Sequence, residues 1–536
     1  MVTPSESVPP IDRHFKATMI RNTDTTKLSD IGTSRPQARV RTLQRCMLSC
    51  ALSIPVVTSS AQPSLTDGQA LGADLHQHYP SLAWVERVRQ AYPVEAQGSA
   101  ALWRDASAPT LKTTGELVDA LAALQDQHVG LAGPKAGKQQ TLGVLFRTSS
   151  DGAMIVWRQL NPAVSSVRVG DRVLEIDGKP VARWLEQAGA RTFGGNRRSR
   201  MAEAAFKLGA ATPVYHASIG LASTVRLSLR GKDGATRMVD LPYRPVNEQT
   251  TAAVMHAVEE SDLPESLQVS GYRIGIVRFG AFAPQFDADF IAAADAAEGA
   301  GATGDGPMLA GYCAVVRERL THINALAARS DLLLIDLRGN LGGFAREVRL
   351  LARALTPQPL PRTYDVFRGS AKGELKLVEQ VEDPGCGTIA APRPLLVWTD
   401  AGTRSGGEFM ASWLWSAGAI AVGERTIGAG GGRDAAATGF LLPRSGLRVN
   451  YSSNFSVFDN NESVTAHDVN ESNFIDLISQ DGFAPSRIRP FAIQAVGLRP
   501  DLLLPTSADD LADGGAAAIR RMVGKLVQLK LVPPRQ

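Results

Sequence analysis

Two stretches of the chain share one order of apolar and polar positions: a nearly continuous apolar run, a glycine-rich break, then apolar residues at helical spacing. In the first, Asp331-Leu332-Leu333-Leu334-Ile335-Asp336-Leu337 runs into Arg338-Gly339-Asn340-Leu341-Gly342-Gly343-Phe344, and Val348, Leu350, Leu351 and Leu355 follow. In the second, Pro394-Leu395-Leu396-Val397-Trp398 runs into Thr399-Asp400-Ala401-Gly402-Thr403-Arg404-Ser405-Gly406-Gly407-Glu408, and Phe409, Met410, Trp413 and Leu414 follow. Short apolar runs of this kind predict buried strands, and the spacing after each break predicts a helix packed on them. In a parallel α/β sheet the loops at the carboxyl ends of strands converge on one crevice, so the two breaks are expected to meet.

Ser405 is thereby predicted to stand at a helix N-terminus. Unpaired backbone N–H groups and the helix dipole there favour the negative charge that develops when a serine attacks a carbonyl. Taken alone, a serine in this position is an ordinary helix cap, and Gly342 and Gly343 are ordinary turn glycines. If the two breaks meet, a backbone N–H of Gly342 or Gly343, together with that of Gly406, stands beside the Ser405 hydroxyl.

Upstream the pattern changes twice. Residues 62–140 read mainly as helices, ending in an amphipathic stretch over 114–125 with His128 near its end. From 141 to 250 strand signals dominate, at 142–146, 153–157 and the cleanly alternating 224–229. The expected organisation is a leader over 1–61, a helical region over 62–140, a β-rich domain over 141–250 and an α/β core over 251–536. Within the core, the Ala/Gly-rich run 292–307 is expected to form an exposed, mobile insertion near 288–310.

At 536 residues the chain is too long for one ordinary core, and an apolar fraction of 44% with scattered charge indicates a globular protein. The net charge of +4 does not point to nucleic acid, because the first 61 residues, with eight Lys/Arg against four Asp/Glu, account for all of it. Those residues carry another signal. Arg41-Thr42-Leu43-Gln44-Arg45, an apolar run over 46–57 and Ser59-Ser60-Ala61 follow the order of a secretory signal peptide: basic region, hydrophobic segment, small-residue cleavage site. The run is too short for a stable membrane span, so export to a periplasm or the exterior is expected. Cleavage after Ala61 would leave Cys313 and Cys386 as the only cysteines, able to pair in an oxidising compartment. No metal or cofactor is expected: His76-Gln77-His78 lacks further ligands at recognisable spacing, and Gly428-Ala429-Gly430-Gly431-Gly432 lacks the ending of a phosphate-binding loop.

Four segments, in this order, resemble the C-terminal-processing or tail-specific serine peptidases: Asp336-Leu337-Arg338-Gly339-Asn340-Leu341-Gly342-Gly343, Gly402-Thr403-Arg404-Ser405-Gly406-Gly407-Glu408, Gly423-Glu424-Arg425-Thr426-Ile427-Gly428 and Val496-Gly497-Leu498-Arg499-Pro500-Asp501. The resemblance lies in the order of the motifs. It implies an α/β crotonase-like (ClpP/crotonase) core and peptide-bond hydrolysis with Ser405 as nucleophile. The segment Val167-Arg168-Val169-Gly170-Asp171-Arg172-Val173-Leu174-Glu175-Ile176-Asp177-Gly178-Lys179-Pro180-Val181 resembles PDZ modules, which take up a peptide as an added edge strand.

The family's Ser-Lys branch places its lysine where this chain has Ala429, and alanine has no amine to take the serine proton. The branch that includes the tricorn core protease uses a histidine from an upstream segment instead, and Leu121-Ala122-Ala123-Leu124-Gln125-Asp126-Gln127-His128-Val129-Gly130-Leu131 resembles that segment. The resemblance makes His128 the general base. It also places a histidine-orienting glutamate at the register of Gln494, where an amide oxygen can fix a tautomer without neutralising an imidazolium; Glu462, Asp468 and Glu471 are the alternative orienters. A further departure is Gln127, where the tricorn-like pattern has serine. The sequence thus predicts an exported serine endopeptidase acting on protein or peptide substrates, with Ser405, His128 and Gln494 as catalytic residues and Gly406, Gly342 and Gly343 as oxyanion donors. The alternative is a weakly active or inactive peptide-binding scaffold of the same fold.

Overall fold

The computed structural model describes residues 66–96, 103, 111–161, 164–369, 374–391, 393–432, 439–460, 464, 470–479 and 487–532. The leader over 1–61 with its signal-peptide reading, the candidate acids Glu462 and Asp468, and the side chain of Glu471 lie outside what is described.

Three helices open the described chain: α1 (Asp67–His78), α2 (Leu82–Ala91) and α3 (Thr114–Ala122). Capping boxes start α1 and α3, with Thr66 paired to Gln69 and Thr113 paired to Glu116. The amphipathic stretch stops being helical before Gln125, whose φ of +49° is incompatible with a right-handed helix. The chain then turns through His128 into the strand Gly130–Ala132, which pairs antiparallel with Arg448–Asn450.

The β-rich region is an antiparallel sheet in chain order, β1 (Val144–Thr148), β2 (Met154–Gln159), β3 (Arg172–Ile176), β4 (Thr224–Arg230) and β5 (Thr236–Pro242), accompanied by α4 (Val181–Gly189) and α5 (Arg197–Gly209). In β4 Val225, Leu227 and Leu229 are buried while Thr224, Arg226 and Arg230 are exposed, and Ser228 alone departs from the alternation by being buried. Asp177 and Gly178, both at positive φ, make the tight turn from β3 into Lys179–Pro180.

The core sheet has six strands in the order β6 (Ser266–Val269), β7 (Tyr272–Arg278), β8 (Leu332–Asp336), β9 (Leu395–Thr399), β10 (Ile420–Gly423) and β11 (Leu502–Leu503). Only β6 runs antiparallel; from β7 to β11 every pairing is parallel. All five residues of β8 are buried, as an apolar run in the middle of a parallel sheet must be.

Between β7 and β8 the expected mobile insertion is instead a pair of packed helices, α6 (Ala288–Gly299) and α7 (Gly306–Ala328). Alanine is the strongest helix former, so a run of alanines needs little apolar surface to fold; Phe290 and Ala294 are the buried residues of α6. The disulfide Cys313–Cys386 ties α7 to the segment before β9, with the Cα atoms 5.0 Å apart, so the two cysteines do pair.

Helices α8 (Ala345–Leu355) and α9 (Gly406–Ser416) follow β8 and β9 and pack on each other. The C-terminal α10 (Ala516–Gln528) buries Ile519, Met522, Val523 and Leu526 against Ile274, Leu334, Leu396 and Trp398 of the sheet. A second sheet, built on Arg362–Arg368 and Asn454–Asp459, pairs with Phe491–Ala492 and so delivers Gln494 to the same end of the core as Trp84 of α2. The fold is mixed α/β.

Candidate active site

The two glycine breaks meet, and side chains from both tie them together. Asp400 Oδ1 accepts the N–H of Gly339 (2.8 Å) and of Gly402 (3.0 Å), while Thr403 Oγ1 donates to Leu337 O (2.9 Å). Asn340 accepts the backbone N–H of Arg404 at its carbonyl (3.1 Å), and its amide donates to Phe279 O (2.8 Å). Held this way, Ser405 takes φ +48° and ψ −119° at the N-cap of α9. Such a conformation costs a non-glycine residue about 1–3 kcal/mol and persists only where its surroundings over-determine it.

His128 reaches Ser405 from the other side of the molecule's sequence: Nε2 lies 3.2 Å from Ser405 Oγ. Its turn is braced at both ends. Gln125 Oε1 accepts from Arg89 (3.2 Å) and its Nε2 donates to Gly195 O (2.9 Å). Asp126, fully buried, accepts the backbone N–H of His128 (2.9 Å) and the Tyr79 hydroxyl (3.1 Å), and its Oδ1 is 3.6 Å from His128 Nδ1. Burial would raise the Asp126 carboxyl, but the ring and backbone N–H of His128 outweigh it and hold the group below the usual carboxylate range.

Gln494 is also fully buried, and among the described residues no hydrogen bond joins its side-chain amide to His128; it lies by the Tyr79 hydroxyl, and its backbone carbonyl accepts Trp84 Nε1 at 2.6 Å. The carboxylate beside the imidazole is that of Asp126, a residue inside the segment quoted for His128 but not singled out there. The signal for it was local: an acid two residues before the base, on a chain that turns back on itself.

The two candidate glycines of the oxyanion turn differ. Gly342 donates its N–H to Asn340 Oδ1 (2.7 Å), so it is engaged within its own loop. Among the described residues Gly343 and Gly406 donate to no backbone carbonyl, and a Cβ built on Gly406 would stand 3.1 Å from Gly343 N. A Cβ on Gly342 would lie 2.7 Å from Ser405 Cβ, which is why glycine is required against Ser405.

Glu408, one turn into α9, was not foreseen. Its carboxylate accepts the N–H groups of Ser405 (3.1 Å), Gly428 (2.7 Å) and Ala429 (2.7 Å) and the Thr426 hydroxyl. Burial pushes this carboxyl up to about 7 despite those four donors. Ala429 presents a buried methyl at this contact. Among the described residues no group of three or more His, Cys, Asp or Glu could hold a metal ion, and no helix is long and apolar enough to cross a membrane.

Residues 314–467 match the model of peptidase family S41, a stretch that holds Gly342, Gly343, Ser405 and Glu408 but neither His128 nor Gln494. No curated protein matches the chain. Among solved structures, mature CPAF complexed with lactacystin is similar with a TM-score of 0.56 at 18% identity, over 86% of this chain and 97% of that one. A mutant of CPAF gives 0.55 at 16% identity, over 88% and 98%. At these identities the likeness is one of fold. On the family match, the protein is a serine-type peptidase.

Proposed function

We propose that the chain is an exported endopeptidase in which Ser405 attacks the scissile carbonyl and His128 is the base. In this reading His128 Nε2 takes the Ser405 hydroxyl proton and later gives it to the leaving amine. Asp126, rather than Gln494, orients the imidazole and stabilises its protonated form. Gly343 and Gly406 donate to the oxyanion; Gly342, spent on Asn340, shapes the turn that carries Gly343.

The observation that carries the reading is the 3.2 Å contact between His128 Nε2 and Ser405 Oγ, made by residues far apart in sequence on independently braced turns. The Cys313–Cys386 bond supports folding in an oxidising compartment and hence export. The parallel sheet with its nucleophile at a strand-to-helix turn supports a crotonase-like core, and the antiparallel β1–β5 sheet with α4 and α5 supports a PDZ-like unit able to hold a peptide.

A fluorophosphonate probe tests the assignment. Wild type is expected to label and to hydrolyse casein, and Ser405→Ala to do neither while keeping its fold, since loss of one hydroxyl at a helix start costs about 1 kcal/mol. Proteolysis by Ser405→Ala would move the nucleophile elsewhere. A folded wild type that neither labels nor cleaves would leave the scaffold reading.

A further inference from the structure

We propose that Glu203, on α5 of the β-rich unit, is a positioning residue for the reaction: it holds Arg404, the residue before the nucleophile, and so sets the backbone that presents both Ser405 and the Gly406 N–H. The inference rests on Ser405 being the nucleophile. Glu203 Oε2 lies 2.7 Å from Arg404 Nη1, with side chains only 2% and 7% exposed. Lys207 Nζ stands 3.5 Å from the other Glu203 oxygen, and the Arg404 guanidinium lies over the Phe206 ring of the same helix, 4.6 Å from its centre. Burial alone would raise the Glu203 carboxyl, but Arg404 and Lys207 outweigh it and hold it below the usual glutamate range.

A pair this buried is poor evidence of stability, because two apolar side chains of similar size would avoid the desolvation cost. Its place in the chain supplies another return. The backbone of Arg404 is bonded on both sides, its N–H to Asn340 O (3.1 Å) and its carbonyl to Gly407 N (2.9 Å), and a Cβ on Gly342 would stand 3.0 Å from that carbonyl. A shift of Arg404 is therefore felt by the nucleophile turn and the oxyanion turn together. The same stretch of the β-rich unit grips the loop on the far side of Ser405: Asn196 Nδ2 and Ser199 Oγ donate to Thr426 O (3.0 and 3.2 Å), and Gly195 N donates to Ile427 O (2.8 Å). Thr426 in turn donates to Glu408, which accepts the Ser405 N–H. The start of α5 and its Glu203 thus clamp the strained serine from two directions.

The test compares wild type, Glu203→Gln, Glu203→Asp and the apolar double variant Glu203→Leu/Arg404→Met, reading the fluorophosphonate labelling rate, kcat and KM on labelled casein, and the thermal midpoint. Misplacement of reacting groups predicts that Glu203→Gln loses about 10- to 100-fold in labelling rate and kcat with little change in KM, and that Glu203→Asp recovers part of it. The double variant, which removes the burial cost of the charges, is expected to regain the midpoint and remain slow. A folded Glu203→Gln enzyme with wild-type labelling overturns the proposal, as does a double variant that recovers both midpoint and rate; should Glu203→Gln not fold, the double variant decides. Full activity in Ser405→Ala would instead break the premise about the nucleophile.

Discussion

Asp126 and Gln494 are both fully buried near Tyr79, and they differ in what removing them should do. Asp126 faces the imidazole with a charge and fixes the His128 backbone, whereas among the described residues the Gln494 amide makes no hydrogen bond to His128. Asp126→Asn is therefore expected to lower kcat steeply, by up to about ten-thousandfold if the wrong tautomer is held, with the fold intact by circular dichroism. Gln494→Leu should stay within about tenfold of wild type and lose little stability, since an apolar group replaces a buried amide that makes no hydrogen bond to His128. The opposite ranking of the two variants would return the orienting role to Gln494. The sequence singled out Ser405 and His128, which the fold brings within 3.2 Å of each other, because each sits in a short motif whose residue order reflects a local turn. For the proposed orienting role, register pointed to Gln494, because register along the chain says nothing of which buried group lies against the ring, and the local signal of an acid two residues before the histidine went unused. Glu408 was missed for a related reason: three of its four donors, Thr426, Gly428 and Ala429, come from a loop that only the fold brings to α9, and the fourth is the local N–H of Ser405.

Among the elements, α8 carries a carboxyl that the fold holds at a cost. Among the described residues neither buried Glu347 oxygen has a hydrogen-bond partner, and Arg319 Nη2 lies 3.3 Å from Oε1. Burial pushes Glu347 up to about 7; Arg319 pulls it back, and Glu259 and Asp287 push it further up. A carboxyl raised on folding gives stability that is fully present below its unfolded value and is lost as pH rises through the folded one. Glu347→Gln removes that dependence, so its stability relative to wild type should climb between pH 5 and pH 8, by at most about 3 kcal/mol. Urea midpoints of the two proteins at several pH values check this, and a constant difference would mean that Glu347 is already ionised or neutral throughout. Elements were legible where burial leaves a one-dimensional trace: the apolar runs before both glycine breaks are β8 and β9, and the alternation at 224–229 is β4. The helices in the Ala/Gly-rich run were not foreseen because α6 buries so few residues that its sequence has no apolar period to detect.

For the molecule as a whole, one covalent bond closes a long loop around part of the core. Cys313 and Cys386 are separated by 73 residues, and the loop they close contains β8, the Gly342–Gly343 turn and α8. Chain-entropy reasoning assigns a loop of that length about 4 kcal/mol of stabilisation, an upper figure because the unfolded chain retains some structure. The double variant Cys313→Ser/Cys386→Ser should therefore unfold at clearly lower urea while wild type shows the same fall on reduction. Its fluorophosphonate labelling at 25 °C should persist, because the bond touches neither Ser405 nor His128 and the turns that carry them are braced by their own hydrogen bonds. A variant as stable as wild type would remove the support that this disulfide lends to an oxidising compartment. A stable variant that no longer labels would mean instead that the bond holds the oxyanion turn in place against the nucleophile.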